Sequence, residues 1–276
     1  MMNRFWQVMI YSLLILGLVL VLTPFIYMIL TSLTENAFTL PHPDELLKQD
    51  KSFDNYIEAW NKNNFERYFL NSLFVATTTA FFAILFSSMT AYAFARFQFP
   101  LKEPLFRLFL FSMMVPGVLN IIPQFTIIDS LGLVDTYRGL LLIYVGVGIA
   151  GNTFFLRGFF ERIPKELEES VIIDGGSKWT IYRHIYIPLS KPSLATLAIF
   201  TFSAAWDEFF VALTIIKTES KRTLPIALQL FQGQHATNWG LVFAASIIAI
   251  IPIILIFIFF QKKFVQSTTG EGALKG

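Results

Sequence analysis

Charge is distributed along this chain so that long stretches carry none. Between Arg4 and Glu35 lie 30 uncharged residues, and between Arg67 and Arg96 another 28. An α-helix rises about 1.5 Å per residue and the hydrocarbon core of a bilayer is about 30 Å thick, so about 20 mostly apolar residues suffice to cross it. Six stretches qualify: 8–32, 68–95, 108–128, 139–156, 192–216 and 239–261. The fourth is short, at 18 residues, and the fifth is interrupted only by Asp207 and Glu208. Composition agrees, with 55% hydrophobic residues, 14% charged residues and a mean hydropathy of +0.60, values that exclude an ordinary soluble globule. The expectation is an all-α integral membrane protein, with residues 1–276 forming a single domain of six transmembrane helices.

A net charge of +2 argues against a nucleic-acid partner, which needs clustered bases. The absence of cysteine removes disulfides, thiolate metal sites and cysteine nucleophiles. The first stretch begins with Arg4, as a signal peptide does, but its apolar run is far longer than the 7 to 15 residues of such a peptide and no small-x-small site ends it, so it reads as an uncleaved helix. With the N-terminus in the cytoplasm, the inner segments hold 13 of the 21 basic residues. The outer loop 33–67 then holds four basic residues beside seven acidic ones. This bias places both termini inside.

The loop 157–191 reads as two short amphipathic helices around a glycine hinge. Pro164 suits the start of a helix, and Glu166, Glu168 and Glu169 favour its positive end. Ile163, Leu167 and Val171 recur on one face. Gly175 and Gly176 end that helix, and Ser177 caps a second in which Trp179, Tyr182, Ile185 and Tyr186 share a face before Pro188 stops it. Such a hairpin has two readings. It packs on the protein's own helices or the lipid interface, or it docks a cytoplasmic partner.

The string Pro164 to Gly176, followed by Ile185-Tyr186-Ile187-Pro188-Leu189, resembles the EAA loop of ABC importer permeases. Glu169, Asp174, Gly175, Ile185 and Pro188 match that signature, whereas Ser170 and Val171 stand where the family has alanines and Ile187 where it has leucine. Further stretches are similar to the sugar-transporting, maltose-type branch: Asn71 to Phe97, Met114-Val115-Pro116 through Gly132-Leu133, Ala205-Trp206-Asp207-Glu208-Phe209, Thr223-Leu224-Pro225 with Phe231-Gln232-Gly233, and Gly272 to Gly276. The resemblance implies a type I ABC importer permease fold in a bacterial or archaeal cytoplasmic membrane. Its implied partners are a second homologous permease, two ABC ATPase subunits that hold ATP and Mg, and an extracellular solute-binding protein delivering a carbohydrate. In this picture 157–191 is the coupling loop, and Leu167, Glu168, Glu169, Val171, Asp174, Gly175, Ile185 and Pro188 are its contact and turn residues. The chain has no Gly-Lys dipeptide, so it lacks the phosphate-cradling loop of an ATPase. It is expected to be a transport subunit, not an enzyme, and to carry no cofactor. His42, His184 and His235 are too scattered for a metal site.

Inside the spans, each charged residue at mid-depth costs roughly 2.5 to 3.5 kcal/mol on insertion scales, which singles out Asp207 and Glu208. They lie about 100° apart on a helix, so at most one faces a cavity squarely. Trp206, Asp207 and Glu208 either line a sugar path, with the Trp206 ring as a stacking face, or lock neighbouring helices. Asn120, Gln124 and Asn152 are amides in otherwise apolar surroundings and join the list of substrate-path candidates. In the outer loop 217–238, resemblance to the maltose-type permease implies that Gln232, Gly233, Gln234 and His235 contact the binding protein; an ordinary connecting loop is the other reading. A different class, an ion-coupled secondary transporter or channel using Asp207 and Glu208, is opposed by the cytoplasmic hairpin, which such a carrier does not need. An intramembrane enzyme is weaker still, since the spans hold no convergent acid, base and nucleophile.

Overall fold

The computed structural model describes residues 4–34, 38–61, 64–231 and 237–268. Among these residues the chain is helical, with one isolated antiparallel bridge between Thr34 and Lys51. Four helices are each long and apolar enough to cross a membrane alone: α1 (Arg4–Ser32), α4 (Phe65–Arg96), α7 (Tyr137–Glu161) and the Trp239–Gln261 part of α14. Short helices α2 (Pro43–Leu46) and α3 (Asp54–Asn61) interrupt the loop between α1 and α4.

The third stretch, expected as one span over 108–128, is broken. Helix α5 (Lys102–Met114) stops, and a 3₁₀ turn at Gly117–Asn120 leads into α6 (Ile121–Ser130) after a bend of 103°. Pro116 is the cause. It donates no hydrogen bond and forces the preceding residue out of helical geometry, and Val115 is extended at φ −80°, ψ 122°. The fourth span runs further than expected, since α7 continues to Glu161, so five residues assigned to the coupling loop are helical extension. The hairpin comprises α8 (Glu166–Ile173), α9 (Lys178–Ile181), a π-helical turn (Tyr182–Tyr186) and α10 (Ile187–Leu189). Pro188 does not stop the helix, because the widened turn ahead of it absorbs the lost hydrogen bond; the Ile187 amide donates back to Tyr182 O.

The fifth span is also corrected. Helix α11 (Lys191–Trp206) ends before the two carboxylates, which lie in a break ahead of α12 (Phe210–Ile215). Asp207 and Glu208 therefore are not side by side on one helix, and the 100° argument does not apply. A 3₁₀ turn (Glu219–Lys221), α13 (Leu224–Leu230) and α14 (Trp239–Thr268) complete the chain. Beside the four long helices, two bent pairs pass the same length and apolarity test, Lys102–Met114 with Gly117–Ser130 and, across a 76° bend at Ser190, Lys178–Leu189 with Lys191–Trp206; counted as one span each, they bring the total among the described residues to six.

The chain divides into two compact units, 1–66 with 227–251 and 67–226 with 252–276. In the first, Asn55 Nδ2 donates to Ser32 O (2.9 Å) and Thr34 O (2.8 Å), and Lys51 Nζ donates to Leu46 O (2.5 Å). These bonds close the loop between α1 and α4 over the end of α1. None of the most apolar 18-residue window of α1 is buried by this chain, which leaves its apolar surface to lipid or to another chain.

The second unit has two apolar cores. One gathers Val75, Ile128, Leu140, Ile143, Ile215 and Ile226 from α4, α6, α7, α12 and α13. The other gathers Ala91, Leu156, Phe160, Tyr182, Tyr186 and Leu197, and seats the hairpin against α4, α7 and α11. A buried ion pair joins the second core to the hairpin: Arg96 Nε lies 3.0 Å from Glu168 Oε1, which also accepts from the Tyr186 hydroxyl (2.6 Å). Arg96 donates as well to Phe160 O (2.9 Å) and Ile163 O. At the opposite end, Asp135 accepts from the Lys217 and Thr218 amides (3.0 and 2.9 Å), the Thr218 hydroxyl (2.6 Å) and Lys221 Nζ (3.0 Å).

Removing one member of a buried ion pair strands the other, at a cost of about 3 kcal/mol. Arg96→Met is therefore expected to lower the thermal unfolding temperature of the purified protein sharply, and the double variant with Glu168→Met to regain part of the loss. Strictly additive losses would show that the charges are not coupled. The Thr218 hydroxyl and amide, with Lys221 and the Lys217 amide, hold the Asp135 carboxyl well below the usual carboxylate range. A lowered native pKa stabilises the fold above the unfolded value, about 3.9, and is lost as pH falls through the native value. The stability gap between the native protein and Asp135→Ala should thus be constant from about pH 5 upward and close only in strong acid, as read by unfolding temperature against pH.

Candidate functional site

Two regions bear on function, one within the spans and one at the hairpin. A cavity of about 600 Å³ opens among α4, α6, α7, α11 and α12. Along α7 it falls between the two cores: Leu140 to Tyr144 belong to one and Leu156 to Phe160 to the other, while Val147, Gly148, Gly151 and Asn152 line the space between. Gly148 makes the close approach possible, since a Cβ there would lie 3.2 Å from Ala83 Cβ on α4.

Of the six substrate-path candidates, the structure brings Gln124, Asn152 and Glu208 to this cavity, and adds Thr79, Tyr144 and Thr201. Asn152 Nδ2 donates to Thr201 Oγ1 at 3.0 Å. The Thr79 hydroxyl and the Gln124 side-chain carbonyl are buried without a hydrogen-bond partner, and such groups favour a ligand or a rearrangement that satisfies them. Asn120, Trp206 and Asp207 do not line the cavity. Trp206 is only 2% exposed, stacked on Phe202 (5.5 Å) and edge-on to Phe69 (5.5 Å); its ring is core, not a face presented to a pyranose. The residues that sequence reading missed are hydroxyls, which single out no position in membrane helices rich in Ser and Thr.

Glu208 has a defined task. Its Oε1 accepts from the Val211 amide (2.8 Å), and its Oε2 accepts from the Ala212 amide (3.0 Å) and the Tyr144 hydroxyl (2.5 Å). The carboxylate thereby caps α12, meets amides that the helix start leaves open, and ties α12 to α7. With these oxygens committed, Glu208 is a poor centre for coupling to an ion. Asp207 is exposed.

At the hairpin, Gly175 has φ +77°, a left-handed conformation open to glycine at no cost. The close packing falls on Gly176, where a Cβ would lie 2.4 Å from a Val171 methyl. Ser177 and Thr180 form a capping box that starts α9. The expected docking stripe is corrected. Val171 and Ile185 pack against the inner core, and Glu168 is buried on Arg96, so these three face inward. The outward side shows Leu167, Glu169, Asp174 and Gly175, joined by Ile172, Ile173 (84% exposed) and Trp179. Pro188 is exposed but lies in α10, beyond the turn. The helical period admitted either face, and the buried Arg96 decided which one turned inward. Gln232, Gly233, Gln234, His235 and the tail from Gly272 lie outside the described residues.

Helices that cross the membrane, a polar-lined cavity between two packed cores and an exposed hairpin held to the spans define a polytopic membrane transport component. Comparison with known proteins agrees. The family described as "Binding-protein-dependent transport system inner membrane component" matches residues 83–270, and the chain belongs to it. The trehalose/maltose transport system permease protein MalG of Thermococcus litoralis is 36% identical over 273 residues, 96% of each chain. The diacetylchitobiose uptake system permease protein NgcG of Streptomyces coelicolor is 30% identical over 261 residues, 94% of this chain and 86% of its own. Among solved structures, a chain of a bacterial ABC transporter involved in import of the acidic polysaccharide alginate superposes with a TM-score of 0.82 at 26% identity, covering 95% of this chain and 97% of that one. The chain is a membrane-spanning permease component of an ABC transport system. An ion-coupled carrier is accordingly not favoured.

Glu208→Ala exposes two amides and a tyrosine hydroxyl and is expected to cost about 1 to 3 kcal/mol, whereas Asp207→Ala, at an exposed carboxylate, should change stability little. Unfolding temperatures of the two purified variants check this; equal losses would deny Glu208 its capping task.

Proposed function

We propose that this chain forms one half of the membrane pore of an ATP-driven importer of carbohydrates, probed on the outer side by a solute-binding protein and driven from the cytoplasm by two ATPase subunits. The observation that carries the substrate class is the similarity, along nearly the whole of both chains, to a trehalose/maltose permease. The cavity supports it: hydroxyl and amide groups from Thr79, Gln124, Asn152 and Thr201 alternate with Phe155, Phe200 and Phe210, a pairing that suits the hydroxyls and C–H faces of a sugar. Asn120, Trp206 and Asp207 have no part in this wall, and Glu208 serves it by positioning α12. Both termini lie in the cytoplasm, as the distribution of basic residues supports.

Coupling is assigned to the exposed side of the hairpin. Leu167, Ile172 and Ile173 offer apolar area to an ATPase cleft, with Glu169 and Asp174 as polar contacts beside the Gly175 turn. Glu168, Val171 and Ile185 work from behind, holding the hairpin to the spans. When ATP binding draws the two ATPase subunits together, the hairpin moves with its cleft. The Arg96–Glu168 pair passes that motion to α4, and α9 and α10 pass it to α11 through the bend at Ser190. Both α4 and α11 line the cavity, so the motion changes access to it, the requirement of alternating access.

The test uses the complete transporter in proteoliposomes. Gly175→Pro forces φ near −65° on a residue held at +77°, and Glu169→Lys reverses a contact charge. Both variants should insert and assemble normally and lose binding-protein-stimulated ATP hydrolysis and sugar uptake. Full transport by both would overturn the assignment.

A further inference from the structure

A second hollow, of about 770 Å³, is separate from the polar cavity. It is a trough bounded by α4, the helical stretch from α9 to α10, α11 and the C-terminal half of α14. Along α4 it extends from Leu73 to Ser88, a length of about 22 Å at the helical rise. Its walls are Phe81, Ile84, Leu194, Ile199 and Ile256, with the small residues Ala80, Ala195 and Ala198 between them. The Ser88 hydroxyl is engaged with Leu85 O (2.9 Å) and the Tyr182 hydroxyl (2.7 Å), so it offers little to a ligand. At the hairpin end stand Trp179, packed on Tyr182 at 5.1 Å, and Arg183. Arg183 is exposed, and its guanidinium has no hydrogen bond or ion pair among the described residues.

We propose that this trough holds an acyl chain of an anionic glycerophospholipid whose phosphate meets the Arg183 guanidinium. Volume favours a chain over a protein helix: a helix 22 Å long and about 10 Å across occupies about 1,700 Å³, more than twice the space, and would sit on the trough without filling it. Charge favours an anion at one end only. A guanidinium is a fork of donors that fits a phosphate, and basic residues where spans meet the cytoplasmic face recognise anionic headgroups. Trp179 stands beside it, a residue type suited to the headgroup level. Because the trough is built from the hairpin and three spans together, a bound lipid clamps α9 and α10 to α4, α11 and α14, the elements through which the hairpin acts.

Native mass spectrometry of the transporter, purified from membranes in its own assembly with mild detergent, tests this. Phosphatidylglycerol and phosphatidylcholine with the same acyl chains are added in parallel. The native protein should retain phosphatidylglycerol in preference. Arg183→Gln should lower that retention about fivefold, the effect of one basic residue at an anionic surface, and leave phosphatidylcholine unchanged, while Arg183→Lys keeps most of the preference. Ala198→Phe, which fills the trough, should reduce retention of both lipids. Equal retention of the two lipids by the native protein, or unchanged phosphatidylglycerol retention in Arg183→Gln, would overturn the proposal. So would efficient cross-linking of Ala198→Cys to a span of another chain, which would make the occupant a protein helix.

Discussion

Within hydrocarbon a backbone amide or carbonyl that leaves its helix finds no water, and the protein itself must satisfy it. Two of the six spans break in this chain, and the molecule is arranged around how those breaks are accommodated. At Pro116 the missing donor and the extended residue before it turn the third span through 103°. At Asp207 to Phe209 the fifth span ends, and the Glu208 carboxylate receives the open amides of α12 together with the Tyr144 hydroxyl. Both breaks border the polar cavity, where non-helical backbone in a membrane is tolerated.

Around that cavity, packing divides the labour. One core fixes α12 and α13 to α4, α6 and α7, and the other fixes the hairpin to α4, α7 and α11. Helices α4 and α7 run through both, with the cavity between, and this shared framework is what the proposed coupling of hairpin to cavity relies on. The Arg96–Glu168–Tyr186 group gives the hairpin a polar anchor in an otherwise apolar seat. A pair of this kind adds less to stability than its charges suggest, and its weight here lies in fixing which face of α8 turns outward.

Much of this was legible in the chain. Charge-free runs marked stretches long and apolar enough to cross a membrane, the Gly175 turn and the Ser177 cap followed from local chemistry, and family resemblance pointed to the right class of transporter. Three of the six path residues, Gln124, Asn152 and Glu208, line the cavity. For Trp206 the chain leaves two readings open, because an aromatic ring serves a core and a sugar site equally well, and only its contacts with Phe69 and Phe202 distinguish them. Helical period defines the faces of the hairpin without saying which is buried, so it does not reveal that Glu168 and Val171 turn inward.

The sequence by itself determined that the chain lives in a membrane, how many times its apolar runs can cross, and where its hairpin turns, because hydropathy, charge spacing and glycine conformation act over a few residues at a time. Only the tertiary structure decided that the third and fifth spans are broken, that Glu208 caps a helix and does not carry a free charge, and that Arg96, 72 positions before Glu168, fixes which face of the hairpin is left exposed. Those outcomes depend on which distant groups satisfy one another out of reach of water, and no local pattern records that pairing.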